Sequence, residues 1–571
     1  MSQIRLALGL VLIGAGVWVA LPAQAQSFRV QCPTTTLLHP TPATDSRGNW
    51  VEPDYTGPVL VPTQNTSPYV SNGGSIKCQQ ISGGDGYMTE ADGNQTFMFA
   101  FGPLSGLGLI QNGLPGTLFA PDFNTPYNPD SPTYYNGQPN PNFGVATGSP
   151  NGAVGYTTTQ AVDSQGHPTN VTLTDAAAIM DVGVLNGSIP APLMAIDEDD
   201  EFFLTLTNVG MIMRPDLFEQ HTVHFHGYPN ASSYYDGVPD ASLAINIGGS
   251  FTYYYLAPDA GTYFWHCHIT PPEHLQMGMV GQLFVRPRQN RVPVGHSLYQ
   301  ALAGKGPIGT ATAGQQSDLR TACPNTGPTA TGIAPDILCS TPLPAANPAV
   351  QGTDPQGSPF KYAYNDGDGS TRYDIDVPLQ IHGFDPNFHF VGMTFNSEGF
   401  ADMKDKYFLL NGRSYPDTIG VPGYAGLATS VSNPDPVTHA IATQSSDGMS
   451  RPSQPMPTLV TLDSHGGPNG TGQKALLRIS DLDVTEYQTL ASLGIPMLVV
   501  GYNAKLVRDQ AGNNLYYKTN SITLGGGESL DVILDSTGVP AGTYYLYTPN
   551  LDHLSNDAEN FGGLMTEVVV R

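Results

Sequence analysis

Gly261-Thr-Tyr-Phe-Trp265-His266-Cys267-His268-Ile269 aligns without a gap against Gly542-Thr-Tyr-Tyr-Leu-Tyr547-Thr548-Pro549-Asn550. Both copies are aromatic and β-branched runs that start at a turn-forming glycine, which is how a short strand reads. One sandwich made twice is the simplest reading. In the second copy Tyr547, Thr548 and Pro549 stand where the first has His266, Cys267 and His268. The fold therefore forms without the histidines and the cysteine, and in the first copy they are free for chemistry.

Outward from these copies, Phe202-Phe-Leu-Thr-Leu-Thr-Asn208, Ser250-Phe-Thr-Tyr-Tyr-Tyr-Leu256 and Gly281-Gln-Leu-Phe-Val285 are further strands bounded by turn residues. Strand signals resume at Tyr373-Asp-Ile-Asp-Val-Pro-Leu379. With 65 glycines and 50 prolines in 571 residues, the chain reads as all-β rather than helical. A Gly/Pro/Asn/Tyr-rich stretch near 104–165 breaks the pattern as a long surface insertion, and residues 289–371 read as a linker. Met1–Arg5, the apolar run Leu6–Leu21 and Ala23-Gln-Ala25 read as a secretory signal over 1–25, so export to the periplasm or beyond the cell is expected. No other stretch is apolar enough to span a bilayer. The expected order is signal 1–25, N-terminal extension 26–84, metal-binding domain 85–288, linker 289–371 and second domain 372–571.

Only 12% of residues are charged, yet the formal net charge is −26. A nucleic-acid partner is excluded on charge, since phosphate binding needs a basic surface. Cationic partners such as metal ions or a basic redox protein suit it, and so does simple solubility. Asp197-Glu-Asp-Asp-Glu201 reads as a solvated loop before a strand, with a cation-substrate site as the alternative. Asp366-Gly-Asp368 reads as a turn, because the bidentate acid of a calcium loop is missing.

Six of the fourteen histidines fall in residues 221–274 around one cysteine: His221-Thr-Val-His224-Phe-His226, His266-Cys267-His268 and His274, with Met279 after them. Thiolate, imidazole and a weak thioether suit copper. Side chains two apart on a strand share a face. His266 and His268 thus face one way and Cys267 the other, which gives two adjacent sites. We read His221, Cys267 and His274 as equatorial ligands of the first, with Met279 as the axial one and Met277 its rival. His224, His226, His266 and His268 make the second. Cys32, Cys78, Cys323 and Cys339 could form two local disulfides, with three connectivities open, leaving Cys267 unpaired.

These two histidine motifs, with Asn186-Gly-Ser-Ile-Pro-Ala-Pro192, Asp236-Gly-Val-Pro239 and Tyr407-Phe-Leu-Leu-Asn-Gly-Arg-Ser-Tyr-Pro416, resemble the multicopper oxidases, the family of laccases and ascorbate oxidase. The resemblance implies two cupredoxin-like Greek-key sandwiches. It implies type 1 copper on His221, Cys267, His274 and Met279, type 2 copper on His224, and a type 3 pair on His226, His266 and His268. Asp236 falls where the family places an acid in the proton path to oxygen; a plain turn aspartate is the alternative. One-electron oxidation of a small-molecule, metal-ion or protein donor with O2 as acceptor would follow. Two departures stand out. Cys267 to His274 is two residues longer than usual, and only four of the eight histidines of a trinuclear centre occur in the first half. The other four would come from a neighbouring subunit, as in trimeric two-domain oxidases. His382 and His389 are the second-half histidines best placed to bind metal. A blue-copper electron carrier, a copper-sequestering protein and a copper nitrite reductase stay open as alternatives.

Overall fold

The computed structural model describes residues 30, 32–56, 73–110, 113–127, 134–135, 138–139, 151–162, 168–228, 232–257, 259–303, 348–394, 399–419, 451, 453–456, 458–509 and 513–571. The signal reading and the Cys323/Cys339 pair lie outside them, as do His167 and His439.

The all-β expectation holds, and the duplication holds strand by strand. In the first sandwich, one sheet runs in the order Ser250–Leu256, Glu201–Gly210, Ile76–Thr89, Gln95–Pro103. The facing sheet runs His224–Phe225, Gly261–His266, Val280–Arg286, Met194–Asp197. In the second sandwich, Tyr407–Leu410, Ile375–Phe384, Lys474–Asp481, Ser529–Asp535 and Met497–Tyr502 follow one another in one sheet. The other orders Val460–Leu462, Met565–Val570, Gly542–Tyr547, Gln488–Leu493 and Ser521–Leu524. Each sandwich has the same two parallel pairs. Ile76–Thr89 lies parallel to Glu201–Gly210 as Ile375–Phe384 does to Lys474–Asp481, and Met194–Asp197 to Val280–Arg286 as Val460–Leu462 does to Met565–Val570. Inward-facing Leu, Ile, Val and aromatic residues from both sheets of each sandwich form its core.

Three segments differ from the sequence reading. The first sandwich begins at Ile76, inside the stretch read as extension, and Cys78 on that strand is disulfide-bonded to Cys32. Ser82-Gly-Gly-Asp-Gly86 lies within this strand. Its glycines admit close neighbours: a Cβ on Gly83 would sit 2.7 Å from the His221 ring. The 104–165 stretch is not wholly superficial, since Leu104, Leu107, Leu118, Phe123 and Val154 are buried and Leu118–Phe119 pairs with the first strand. Residues 348–371 of the linker pack tightly, with Tyr362, Ala363 and Tyr364 buried.

The two sandwiches meet along the metal-motif hairpin. Thr262 Oγ1 donates to Asp531 Oδ1 at 2.6 Å and Ser529 Oγ to the Thr262 carbonyl at 2.6 Å, while Gln282 Nε2 donates to Ser480 Oγ at 2.8 Å. Gly261, at φ +145°, lies so close to Ala504 that a Cβ would come within 2.6 Å of its Cα.

Candidate metal centre

The Gly261–His266 strand ends at the metal motif, and its register sets His266 opposite His224. Cys267 then turns inward, where its amide donates to the Met279 carbonyl at 3.1 Å and the Met279 amide to the His274 carbonyl at 2.8 Å. These bonds fold the ligand loop back over the thiol. His274 Nδ1 lies 3.2 Å from Cys267 Sγ, and His221 Nδ1 lies 4.0 Å from it. The Thr222 amide points at the sulfur from 3.4 Å. His221, Cys267, His274, Met277 and Met279 are all fully buried. Met277 and Met279 share the core cluster that holds Cys267.

On the opposite face His224, His226 and His266 bring ring nitrogens within 4.8 Å of one another. His226 Nε2 and His266 Nε2 are 2.9 Å apart. The His268 ring lies 5.1 Å from that of His224 and 5.4 Å from that of His266. The chain thus gathers His221, Cys267 and His274 in one group and His224, His226 and His266 in another, with His268 beside the second. Asp236 sits beside the second site: its carbonyl is 2.7 Å from His224 Nδ1 and its carboxylate Oδ1 3.6 Å.

At the histidine cluster the protonation pattern fits a metal. A ligating imidazole gives its second N–H to a carbonyl or carboxylate. His266 Nδ1 donates to the Cys267 carbonyl at 2.6 Å and His224 Nδ1 to the Asp236 carbonyl, while the Gly527 backbone hydrogen-bonds His226. The Nε2 atoms of His226 and His266 are left to converge. In the thiol site the arrangement is inverted. Both Nδ1 atoms face sulfur, and His274 Nε2 is 3.5 Å from Glu219 Oε2. Burial pulls His226 down to about 4 and holds His266 and His221 well below the usual imidazole range, so all three are neutral. Burial also opposes charge on His274, but the Cys267 sulfur and Glu219 outweigh it and raise it to about 10. Buried lone pairs aimed at one point are costly without a cation between them. The donor sets, one thiol with two imidazoles and a cluster of imidazoles, are those copper takes.

His382 and His389 do not join these clusters. His382 Nε2 lies 3.0 Å from the Leu275 carbonyl. His389 sits between the Phe97 carbonyl, 2.6 Å from Nδ1, and the Gln276 carbonyl, 3.0 Å from Nε2. Gln276 Nε2 in turn donates to Asp405 Oδ1 at 2.9 Å, and its Oε1 accepts from the Asp385 amide at 3.1 Å. The two extra residues between Cys267 and His274 belong to a short helix, Pro271–Gln276, which the second sandwich grips from above. Sequence reasoning missed Glu219, Gln276 and this clamp, because nothing local marks them. The acidic run was misread: Asp197, Glu198, Asp199, Asp200 and Glu201 are all buried and partnered, not solvated.

Residues 168–290 match the family model described as multicopper oxidase. The multicopper oxidase MCE of Talaromyces pinophilus is 34% identical over 112 residues, covering 19% of this chain and 17% of that protein. The laccase abr2 of Aspergillus fumigatus is 34% identical over 109 residues, with the same coverage of 19% and 17%. A copper-containing nitrite reductase of Rhizobium meliloti is 35% identical over 109 residues, 18% of this chain and 26% of its own. The chain thus spans less than a fifth of the length of the first two relatives. The blue copper oxidase from Nitrosomonas europaea aligns over 73% of this chain and 84% of its own, at 18% identity and a TM-score of 0.39.

Proposed function

From a chain whose residues 168–290 match the multicopper oxidase family model, we propose a copper-dependent oxidoreductase that takes single electrons from a donor at the Cys267 site and reduces O2 at the histidine site. The observation that carries this is the pair of back-to-back donor sets joined through one residue. Cys267 faces His221 and His274, and its peptide neighbours His266 and His268 lie edge-on to His224. Copper, when bound, supplies the one-electron redox couple and the oxygen-reducing centre.

The chain's own residues do the rest. Cys267 offers a covalent route of one peptide unit to each flanking histidine. His274 turns its Nε2 edge toward Glu219, whose side chain is partly exposed, so a donor hydroxyl docking there would find a carboxylate for its proton. The Asp236 carboxylate, 3.6 Å from His224 Nδ1, would hold or move a proton beside the histidine site. His221, His274 and Cys267 admit no solvent, which keeps a thiolate from oxidation by water-borne oxidants. Nitrite reduction is disfavoured by the same geometry, since four imidazoles rather than fewer crowd the second site.

Among the described residues, no histidine of the second sandwich reaches the cluster, so a homo-oligomer, trimeric by the family's precedent, is needed to complete a trinuclear centre. The signal at 1–25 would send the enzyme out of the cytoplasm. The test is copper content per chain with an electron paramagnetic resonance spectrum, run beside oxygen uptake. More than one copper per chain, type 1 and type 2 signals, and uptake abolished in a His224→Ala/His268→Ala variant that keeps its colour are the expected results. One copper, a type 1 signal alone and no uptake would make it an electron carrier.

A further inference from the structure

One ring of the histidine cluster is held by the sandwich that carries no metal motif. His226 lies just past the His224–Phe225 strand, where its amide donates to the Phe264 carbonyl at 2.8 Å and its ring packs edge-on against the Phe264 ring at 4.6 Å. The other edge of the imidazole meets Gly527 of the second sandwich. A Cβ built on Gly527 would lie 2.6 Å from His226 Nδ1 and 2.8 Å from Cε1. Gly527 also has φ +90°, a conformation that glycine alone adopts without strain. Its amide is committed to the Asp481 carbonyl at 2.9 Å. The Gly527 carbonyl is what remains for the ring, and its interaction favours a proton there.

We infer that Gly527 is a positioning residue of the histidine site: its backbone fixes the His226 ring from the second sandwich, so that Nε2 is the nitrogen presented to the metal. This inference rests on reading His224, His226, His266 and His268 as copper ligands. The His226 Nε2 atom lies 2.9 Å from His266 Nε2, on the side of the ring away from Gly527. An imidazole whose second nitrogen is tied to a backbone carbonyl keeps one tautomer and one orientation. Here that tie comes from 301 residues further along the chain.

The turn that carries Gly527 is rigid because it belongs to the sandwich itself. In the first sandwich the Gly248 amide donates to the Asn208 carbonyl at 2.8 Å, and the Asn208 amide to the Gly249 carbonyl at 3.0 Å. In the second, the Gly527 amide donates to the Asp481 carbonyl at 2.9 Å, and the Asp481 amide to the Glu528 carbonyl at 3.0 Å. Glu528 closes the turn further: its amide donates to the Gly525 carbonyl at 3.0 Å and its Oε2 accepts from the Gly525 amide at 2.8 Å. Leu482, next to Asp481, packs in one apolar cluster with Phe264, Leu275 and Val280 of the first sandwich. The same packing that joins the sandwiches therefore sets the distance from Gly527 to the ring. The second sandwich has lost the metal motif, yet it supplies one wall of the histidine site.

The test compares Gly527→Ala with Gly538→Ala, each in the full chain loaded with copper. Gly538 has φ +74° and nothing within 4 Å of its Cβ position, so its substitution brings the backbone strain without the contact. Gly527→Ala is expected to keep the thiolate-to-copper band of the Cys267 site. It should bind copper at the histidine site roughly 10- to 100-fold more weakly, with a changed copper signal there. Gly538→Ala should match the wild type in all three. A folded Gly527→Ala with unchanged affinity and signal overturns the inference, and so does an equal change in both variants. Should Gly527→Ala fail to fold, the wild-type chain loaded with diamagnetic Cu+ decides the matter. The 15N shifts of His226, assigned by their loss in His226→Gln, should place the proton on Nδ1 and the metal on Nε2; the reverse placement overturns the inference. Wild-type protein that binds one copper with a type 1 signal alone sinks the histidine-site reading and this inference with it. If the wild type shows a second copper and Gly527→Ala is indistinguishable from it, only the role of Gly527 fails.

Discussion

Replacing His389 by alanine isolates what the second sandwich does for the ligand loop. The ring is fully buried, bridges the Phe97 and Gln276 carbonyls, and stacks on Phe384 at 3.8 Å. Burial pulls it down to about 3, so it is neutral at ordinary pH and donates to one of the two carbonyls. Removing a buried ring of this size leaves a cavity costing about 2–5 kcal/mol, and the orphaned carbonyl adds about 1–3 kcal/mol. A loss near 4 kcal/mol is therefore expected, roughly 10 °C in unfolding temperature for a sandwich of this size. Gln276 directly precedes Met277 and lies two residues from His274, so its carbonyl anchors the stretch that sets the ligand positions. The His389→Ala variant should lose stability and also change the position or intensity of the thiolate-to-copper band. His389→Gln, which can still donate one hydrogen bond, should recover about half of the stability. The assay is thermal unfolding of the metal-free and copper-loaded protein beside the visible spectrum. A loss under about 1 kcal/mol with an unchanged spectrum would refute the clamp.

Met279→Leu should keep the colour but shift the reduction potential, because an axial thioether tunes it; an unmoved potential, with Met277→Leu moving it instead, would transfer the axial role. Burial pushes Glu90 up to about 7 from 4.5, against the Thr96 hydroxyl. Its neutral form stabilises the fold fully below pH 4.5, and that contribution is lost as pH rises through 7, so Glu90→Gln should gain up to about 3 kcal/mol at pH 8 and little at pH 4. Urea midpoints of the two proteins that differ equally at both pH values would contradict this. Arg288→Met removes a fully buried guanidinium that donates to Asp199 at 2.7 and 2.8 Å and to Glu198 at 3.2 Å. A cost of about 3–5 kcal/mol is expected from the stranded carboxylates, read as a drop in soluble yield and unfolding temperature; a variant as stable as wild type would contradict it.

Much of this was legible because it is local. Ser250–Leu256 is a strand with the bounds its alternating aromatics suggest, and the two aligned hairpins have the same register. The opposite facing of Cys267 and its flanking histidines follows from strand geometry alone. What escaped reading depends on partners distant in sequence. The Ile76–Thr89 strand falls largely in the stretch read as extension, and Gly83, Gly84 and Gly86 within it carry no strand signal. Those positions are glycine because the His221 ring, Val209 and the Gly187 backbone press against them. His382 and His389 looked like spare ligands, since a histidine bonded to a carbonyl over a hundred residues away carries no local mark.

The acidic run shows the same limit in charge rather than in packing. Asp197 to Glu201, read alone, is a solvated loop; in the fold Glu201 pairs with His39, while Asp197 to Asp200, with Glu52 beside them, make five carboxyls that meet Lys77, Arg286, Arg288 and Arg291. Four fixed cations fall short of five anions, and burial favours the protonated form of part of the cluster. Burial pushes Glu198 up to about 7 and Asp200 well above the usual carboxylate range, whereas Arg286 and Lys77 hold Asp197 low. The remaining oxygens are used as connectors. Glu198 accepts from Asn365 and Asp366 from Gln289, at 2.5 and 2.8 Å. Residues 348–371 are thereby drawn onto the first sandwich, and their Pro/Gly-rich composition gives no hint of it. A stretch that reads as a linker is held in place by charges that read as a surface, and only the pairing between them, set by the fold, reveals either.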